Sequence, residues 1–138
     1  PGTPNIPGII GLHASLSYLH TVGIDYIYQH ELSLTKQFLY GLQELPKYTI
    51  HGIPDIRNRT AVISISPTHC DPAELAHNLE QTYHIITRVG LHCAPTAHQV
   101  LGTYPRGTIR FSFGYHNTSD EVDFILNSLE LLQHKHLL

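Results

Sequence analysis

The stretch Thr108-Ile109-Arg110-Phe111-Ser112-Phe113 decides the fold, because polar and apolar residues alternate along it without a break. A period of two places the three apolar side chains on one face of a β-strand and the three polar side chains on the other. We therefore predict a strand over residues 108–113, with its apolar face against a hydrophobic core.

Three earlier stretches predict strands that belong to the same sheet. Tyr48–His51 is a short β-type run, and Thr60–Ser66 is rich in β-branched residues and stops at Pro67. His84–Val89 is the third run and ends at Gly90. Together these stretches indicate a small sheet of three or four strands, largely antiparallel.

Helical spacing of apolar residues characterises the segments around these strands. Gly23 and Pro46 stop two of them, and Asp71-Pro72 combines an N-cap acid with a proline at the first helical position. The predicted helices are Ile9–Val22, Ile24–Leu45, a helix capped by Asp71 that runs to about Tyr83, Thr96–Leu101, and a last helix that starts at Thr118. We expect an α+β fold in which helices cover one face of the sheet.

The length of 138 residues suits a single domain. The Pro/Gly-rich residues 1–8 predict a lead-in loop, and His134-Lys135-His136 predicts a frayed tail. The chain contains no Met, so we expect residues 1–138 to be one small domain of a longer polypeptide.

Composition argues against several classes of protein. A net charge of −3 with only 8 Lys and Arg does not suit a nucleic-acid surface. No apolar stretch approaches the roughly 18 residues of a membrane span, and no signal-peptide pattern opens the chain. Two cysteines, Cys70 and Cys93, in a chain of this kind indicate reduced thiols and a cytoplasmic protein.

Cys93 is the strongest candidate for a chemically active side chain. It lies in Gly90-Leu91-His92-Cys93-Ala94-Pro95, between a predicted strand and a short helix. The flanking glycine and proline predict a loop tip, where His92 and the start of the helix could both favour the thiolate. A free, partly buried structural cysteine is the alternative, and the spacing alone supports both interpretations equally.

Cys70 offers a contrast. It precedes the N-cap acid Asp71, whose negative charge disfavours a thiolate, so we interpret Cys70 as structural. A zinc site built from His69, Cys70, His92 and Cys93 is disfavoured, because adjacent His-Cys pairs lack the spacing at which ligands converge on one ion. We therefore predict no metal site.

Arg110 is the second candidate. Its face of the predicted strand also carries Thr108 and Ser112, which is polar for a covered sheet, and an arginine there is suited to bidentate capture of a carboxylate. An outward-facing arginine on a solvated edge strand is the alternative, and the pattern alone favours it. Arg88, two residues before Gly90, has the same two interpretations.

Three motifs, in order, resemble the C-terminal part of the cysteine desulfurases, which belong to the class V aminotransferase family of pyridoxal-phosphate enzymes. The opening motif could by itself offer backbone N–H groups to a phosphate, although a solvent-exposed lead-in explains it better. The motifs are Gly2-Thr3-Pro4-Asn5 before a helix, Arg88-Val89-Gly90-Leu91-His92-Cys93-Ala94-Pro95, and Gly107-Thr108-Ile109-Arg110-Phe111-Ser112-Phe113 followed by Asn117. The resemblance covers the whole chain and implies the small C-terminal domain of a fold-type I pyridoxal-phosphate enzyme.

The resemblance implies a role for each matching position. Cys93 matches the catalytic cysteine, which attacks the sulfur of the substrate cysteine and becomes a persulfide, leaving alanine. Arg110 matches the arginine that holds the substrate α-carboxylate, and Arg88 and His92 match residues close to the same site. Gly2-Thr3 matches a segment that reaches the cofactor phosphate of a neighbouring subunit, which implies a homodimer. The sulfur would then pass to an acceptor protein.

Two departures from the family pattern concern the activity of the isolated chain and the choice of substrate. The family's Schiff-base lysine follows a Ser-x-His pattern, and Lys36, Lys47 and Lys135 all lie outside such a context. We therefore expect the large cofactor-binding domain to be missing here and the isolated chain to be inactive. Leu91 stands where many relatives carry a second histidine, which leaves open whether the substrate is L-cysteine or selenocysteine.

Two other functions stay open. One is a stand-alone sulfur carrier or binding module in which Cys93 accepts a persulfide from a partner, a function that the missing lysine suits. The other is a different class V enzyme, such as an aminotransferase, in which Cys93 is incidental. The opening motif and the absence of a starting Met favour the desulfurase domain over the carrier.

Overall fold

A sheet of four strands with helices packed on one side forms the part of the chain that the computed structural model describes, residues 2–134. The predicted α+β class and the antiparallel sheet are confirmed. In chain order the elements are α1 (Ile6–Val22), α2 (Ile24–Gln43), β1 (Tyr48–His51), β2 (Val62–Pro67), α3 (Pro72–Tyr83), β3 (Arg88–Gly90), α4 (Pro95–Val100), β4 (Thr108–Ser112) and α5 (Ser119–His134).

The strand β4 lies inside the sheet. The strand order is β1-β2-β4-β3, and each neighbouring pair is antiparallel. Ile63 and Ile65 of β2 lie opposite Phe111 and Ile109 of β4, and none of the four is more than 3% exposed. Because residues alternate between the two faces of a strand, these four side chains form one apolar face of the sheet.

The helices α2, α3 and α5 cover that apolar face. Phe38 of α2 is fully buried, and its ring centroid lies 5.0 Å from that of Phe111 and 5.2 Å from that of Phe113. Leu79 of α3 and Leu129 of α5 are also fully buried in the same cluster. The core is therefore a single layer between helices and sheet, and the other face of the sheet is free to carry polar side chains.

The predicted lead-in loop over residues 1–8 is wrong in extent, because α1 begins at Ile6. The Asn5 side chain accepts a hydrogen bond from the backbone N–H of Gly8 at 3.1 Å and caps the helix. Pro7 is compatible with the first turn, since N–H groups there have no acceptor within the helix. A Pro/Gly-rich stretch was thus mistaken for a loop although it starts a helix.

The strand predicted over His84–Val89 is wrong in its first half, because β3 covers only Arg88–Gly90. His84 has a φ of 57° and ends α3 in the left-handed conformation, and the N–H of Ile85 turns back to the carbonyl of Leu79 at 3.0 Å. Residues 84–87 therefore leave the helix without pairing with β4. The remaining predicted ends differ from the observed ones by at most two residues.

The predicted frayed tail, residues 134–136, starts within the last helix, α5. This helix includes His134, the first residue of the predicted frayed tail. Lys135 and His136 lie outside the described residues. The other predicted helices within residues 2–134 are also confirmed. Among them, α1 contributes no buried residue to the hydrophobic core.

Helix α1 is exposed except at Leu19 and Val22, which are half-buried. None of its residues is buried, and it contains no Asp, Glu, Lys or Arg. Ile10, Leu12 and Leu16 are 63%, 60% and 57% exposed. Within residues 2–134, α1 and the other helices are all too short or too polar to span a lipid bilayer.

We expect Leu129→Ala to lower the free energy of unfolding by about 2–5 kcal/mol, because Leu129 is 0% exposed and its loss leaves a cavity in the core. Leu131 lies on the same helix and is 58% exposed, so Leu131→Ala is the matched control and should cost less than about 0.5 kcal/mol. Equilibrium unfolding in urea, followed by circular dichroism, measures both values. Equal losses in the two variants would contradict the buried face assigned to α5.

Candidate functional site

The sheet face turned away from the helices carries both candidate arginines. Arg88 of β3 and Arg110 of β4 are directly opposed across the two strands, so their side chains leave the same face. The interpretation of Arg110 as a residue of a solvated edge strand is wrong, because β4 lies between β2 and β3. It is half-buried, whereas Arg88, on the edge strand β3, is exposed.

Neither arginine is neutralised by a carboxylate within residues 2–134, where the ion pairs are Arg57 with Asp55 and Arg106 with Asp71. In the same part of the chain, Nε of Arg110 is buried and has no hydrogen-bond partner. Two opposed positive charges repel, and an unsatisfied buried donor costs roughly 1–3 kcal/mol. An external carboxylate would relieve both penalties, since its two oxygens match the fork of a guanidinium.

Cys93 is exposed at the tip of the loop that follows β3, as predicted. The loop has an unusual backbone, because His92 and Cys93 have φ values of 48° and 60°. These values lie in the left-handed region, which costs a residue with a Cβ roughly 1–2 kcal/mol. Two such residues in succession persist only where the surroundings determine the conformation, which is a common feature of functional sites.

The start of this loop is held by a close approach of two backbones. Gly90 pairs with Thr108 across β3 and β4, and a Cβ on Gly107 would overlap the backbone of Gly90. Gly107 also has a φ of 77°, which favours glycine. After Gly90, the N–H of Ala94 donates to the carbonyl of Leu91 at 2.8 Å and closes the turn around Cys93.

His92 lies beside the two arginines. Its Nε2 is 3.4 Å from Oγ1 of Thr108, a residue of β4. Burial is the main cause that lowers the pKa of His92, and the charges of Arg110, His98 and Arg88 lower it further, against a hydrogen bond to the backbone of Thr108 that raises it. The imidazole is therefore neutral at pH 7. The structure thus brings Arg88, Arg110 and His92 within electrostatic reach of one another, with Cys93 next along the chain.

A buried histidine, His98, lies next to His92, and the sequence did not predict it as a site residue. It is 5% exposed, and its Nδ1 lies 2.7 Å from Oγ1 of Thr103. Its ring centroid is 5.9 Å from that of His92. The only signal in the sequence is a histidine in a short polar helix, a position at which most histidines are exposed.

Cys70 has the opposite character to Cys93. It is half-buried and packs against the hydrophobic core. Burial raises the pKa of its thiol to about 11, and the charges of Glu74 and Asp71 contribute in the same direction. The predicted effect of Asp71 is therefore confirmed in direction, although burial is the larger cause.

Gly2 and Thr3 are exposed and precede α1. Neither forms a hydrogen bond with the side chains around Cys93 in the part of the chain that is described. Across residues 2–134, no three His, Cys, Asp or Glu side chains converge as ligands for a metal ion. The side chains gathered on the open sheet face are thus suited to an anionic organic ligand and to thiol chemistry.

Comparison with known proteins places this arrangement in a family context. The family model described as aminotransferase class-V matches residues 1–125. A probable cysteine desulfurase of Methanothermobacter thermautotrophicus is 34% identical over 130 residues, which are 94% of this chain and 32% of that protein.

Solved structures agree with the sequence comparison. The apo cysteine desulfurase of Thermococcus onnurineus NA1 matches with a TM-score of 0.87 and 34% identity, over 95% of this chain and 32% of the other. The Escherichia coli cysteine desulfurase CsdA, in an S-sulfonic acid form, gives 0.80 and 27% identity over 94% of this chain and 31% of the other. The chain therefore spans about a third of the length of the proteins it matches.

We expect iodoacetamide at pH 8 to label Cys93 and to spare Cys70. With a pKa of about 11, roughly one Cys70 thiol in a thousand is ionised at pH 8, and its labelling rate should rise about tenfold per pH unit. Mass spectrometry of the labelled peptides measures each cysteine separately. Glu74→Gln is a useful control, because it removes a charge that raises the pKa and should speed the labelling of Cys70 alone. Equal labelling of both thiols at pH 8 would contradict this assignment.

Proposed function

The chain belongs to the aminotransferase class-V family, and on that basis we propose that it is the small C-terminal domain of a pyridoxal-phosphate-dependent cysteine desulfurase. One observation carries the proposal: an exposed cysteine on a strained loop directly follows His92, which lies beside two opposed arginines that lack a carboxylate partner among residues 2–134. A thiol and an anion site are the two features that desulfuration of an amino acid requires.

The assignment as one domain of a larger enzyme has two supports. The chain covers about a third of the cysteine desulfurases it matches. In addition, α1 exposes an apolar surface without Asp, Glu, Lys or Arg along its length, which suits packing against further protein. We propose that residues 1–138 work together with a large cofactor-binding domain on the same polypeptide.

The residues present fit part of a pyridoxal-phosphate site. The unsatisfied Nε of Arg110 suits the α-carboxylate of an amino acid substrate. Lys36 is exposed on α2 and lies over the ring of Tyr40, and Nζ of Lys47 donates to the carbonyl of Gln133 in α5, so both lysines are engaged on the helical side of the domain. We propose that the lysine which binds the cofactor belongs to the large domain. When bound, pyridoxal phosphate supplies an electron sink at the substrate amino group.

The chain's own residues then perform the sulfur transfer. Arg110 holds the substrate carboxylate and so orients the substrate Cβ–Sγ bond. The Cys93 thiolate attacks the substrate Sγ: an S–S bond forms, the Cβ–Sγ bond breaks, and its electron pair stays on Cβ. Cβ takes up a proton to give alanine, and Cys93 is left as a persulfide.

His92 has a role in managing the proton of the thiol. Its lowered pKa leaves a neutral imidazole at pH 7, which can accept a proton. Burial disfavours the protonated imidazole, which would also be a third positive charge beside Arg88 and Arg110, so the neutral form is favoured at rest. The substrate carboxylate offsets one of these charges, so substrate binding favours the transfer of the proton to His92.

Further partners follow from the same proposal. Gly2-Thr3 is exposed, which permits contact with the cofactor phosphate of a neighbouring subunit, and we propose a homodimer in which it makes that contact. An acceptor protein takes the sulfur from Cys93, whose exposure permits direct access. Free thiols at Cys70 and Cys93 suit the reducing cytoplasm. The substrate is L-cysteine or selenocysteine.

A sulfur carrier is the second candidate. The exposure of Cys93, with no suitable lysine among the described residues, also suits a module that accepts a persulfide from a partner. Sulfide release from free cysteine distinguishes the two functions, because a carrier requires a donor protein.

In the full-length protein, we expect Cys93→Ala to abolish sulfide release from L-cysteine and to leave the cofactor's absorbance unchanged, because the thiol accepts sulfur but does not hold the cofactor. Cys70→Ala is the matched control and should retain activity, since Cys70 is half-buried and its thiol is not ionised near neutral pH. Normal sulfide release by Cys93→Ala would overturn the desulfurase assignment and favour an enzyme in which Cys93 is incidental.

Arg110→Ala in the full-length protein should weaken substrate binding by roughly 1.5–3 kcal/mol, the value of one hydrogen bond to a charged group. The expected result is a raised KM for L-cysteine. Arg57→Ala is the control, because Arg57 pairs with Asp55 and is 85% exposed. An unchanged KM in Arg110→Ala would show that another residue holds the carboxylate.

A further inference from the structure

The ring of His98 is held in place from one side by its own turn. Nδ1 of His98 lies 2.7 Å from Oγ1 of Thr103, and the carbonyl of His98 accepts hydrogen bonds from the N–H groups of Thr103 and Tyr104 at 2.9 and 3.1 Å. With 5% of the residue exposed, the imidazole has little freedom to move. It is therefore a rigid surface against which another side chain can pack.

His92 packs against that surface. The two imidazole centroids are 5.9 Å apart, with 44° between the ring planes. Nε2 of His92 also lies 3.4 Å from Oγ1 of Thr108 on β4. The His92 ring is thus held between α4 and the sheet, and its position depends on both.

The backbone of His92 and Cys93 requires such support. Both residues have a positive φ, which non-glycine residues adopt at a cost. The turn around them is closed by a backbone hydrogen bond from the N–H of Ala94 to the carbonyl of Leu91. The contacts of the His92 side chain with His98 and Thr108 add support to the strained segment.

We propose that His98 is a positioning residue for Cys93: its ring holds the ring of His92, and His92 in turn holds the left-handed backbone that presents the thiol. The inference rests on the proposed function only in taking Cys93 as the working thiol. His98 itself touches neither substrate nor cofactor in this scheme.

Electrostatic coupling agrees with the geometry. His98 contributes to lowering the pKa of His92, after burial and Arg110, and to lowering the pKa of His51, after burial. The groups that face this pair are therefore His51 on β1, Arg88 on β3 and Arg110 on β4.

NMR spectroscopy of the full-length protein, with selectively labelled His and Cys, tests the proposal with two variants that separate the ring from its hydrogen bond. His98→Asn keeps an amide near Thr103 but lacks the ring; His98→Phe keeps a flat ring but lacks the hydrogen bond. A positive φ produces a strong intraresidue HN–Hα NOE. In His98→Asn we expect this NOE to be lost at His92 and Cys93, and the pKa of His92 to rise towards its ordinary value, because a buried neighbour is removed.

In His98→Phe the two NOEs should persist. His77→Asn on α3 is the control, since His77 is exposed and its loss should change neither observable. Unchanged NOEs and an unchanged His92 pKa in His98→Asn would overturn the proposal, as would their loss in His98→Phe alone, which would assign the effect to the Thr103 hydrogen bond. Should His98→Asn fail to fold by circular dichroism, His98→Gln supplies the same test. Cysteine turnover is not measured, so this outcome is independent of the desulfurase assignment.

Discussion

The pairing of β3 with β4 is the constraint on which the rest of the site depends. β3 has only three residues, yet its register sets Arg88 opposite Arg110 and Gly90 opposite Thr108. The backbones of Gly90 and Gly107 approach so closely that no side chain fits at Gly107. The chain must therefore leave the sheet at Gly90, and the loop with Cys93 starts from a defined point.

The two faces of the sheet differ in character because α2, α3 and α5 all pack on one of them. Helices α2, α3 and α5 cover the apolar face and supply the buried surface that stabilises the domain. The other face carries opposed positive charges, histidines with lowered pKa values and a strained loop, all of which are unfavourable for stability alone. Stability and chemistry are thus separated by the thickness of one sheet, and the unfavourable features are concentrated where an anionic substrate would relieve them.

Local patterns predicted the features that depend on neighbours in sequence. The alternation in residues 108–113 identified β4, since it shows which side chains share a face. Asp71 was identified as the cap of α3, and its carboxylate accepts from the N–H of Ala73 at 2.9 Å. Two predicted helix and strand boundaries were wrong because local patterns do not reveal the conformation of a single residue. The left-handed end of α3 at His84 and the start of α1 within a Pro/Gly stretch depend on single backbone conformations that have no periodic signal.

By itself, the sequence determined the α+β class, the loop position of Cys93 and the structural character of Cys70. Only the tertiary structure decided that β4 lies inside the sheet, that Arg88 faces Arg110, and that His98 packs against His92. The physical reason is that periodicity specifies the face to which a side chain points, whereas its neighbours on that face come from strands and turns distant in sequence. Long-range pairing and packing select those neighbours, and with them the electrostatics of the site.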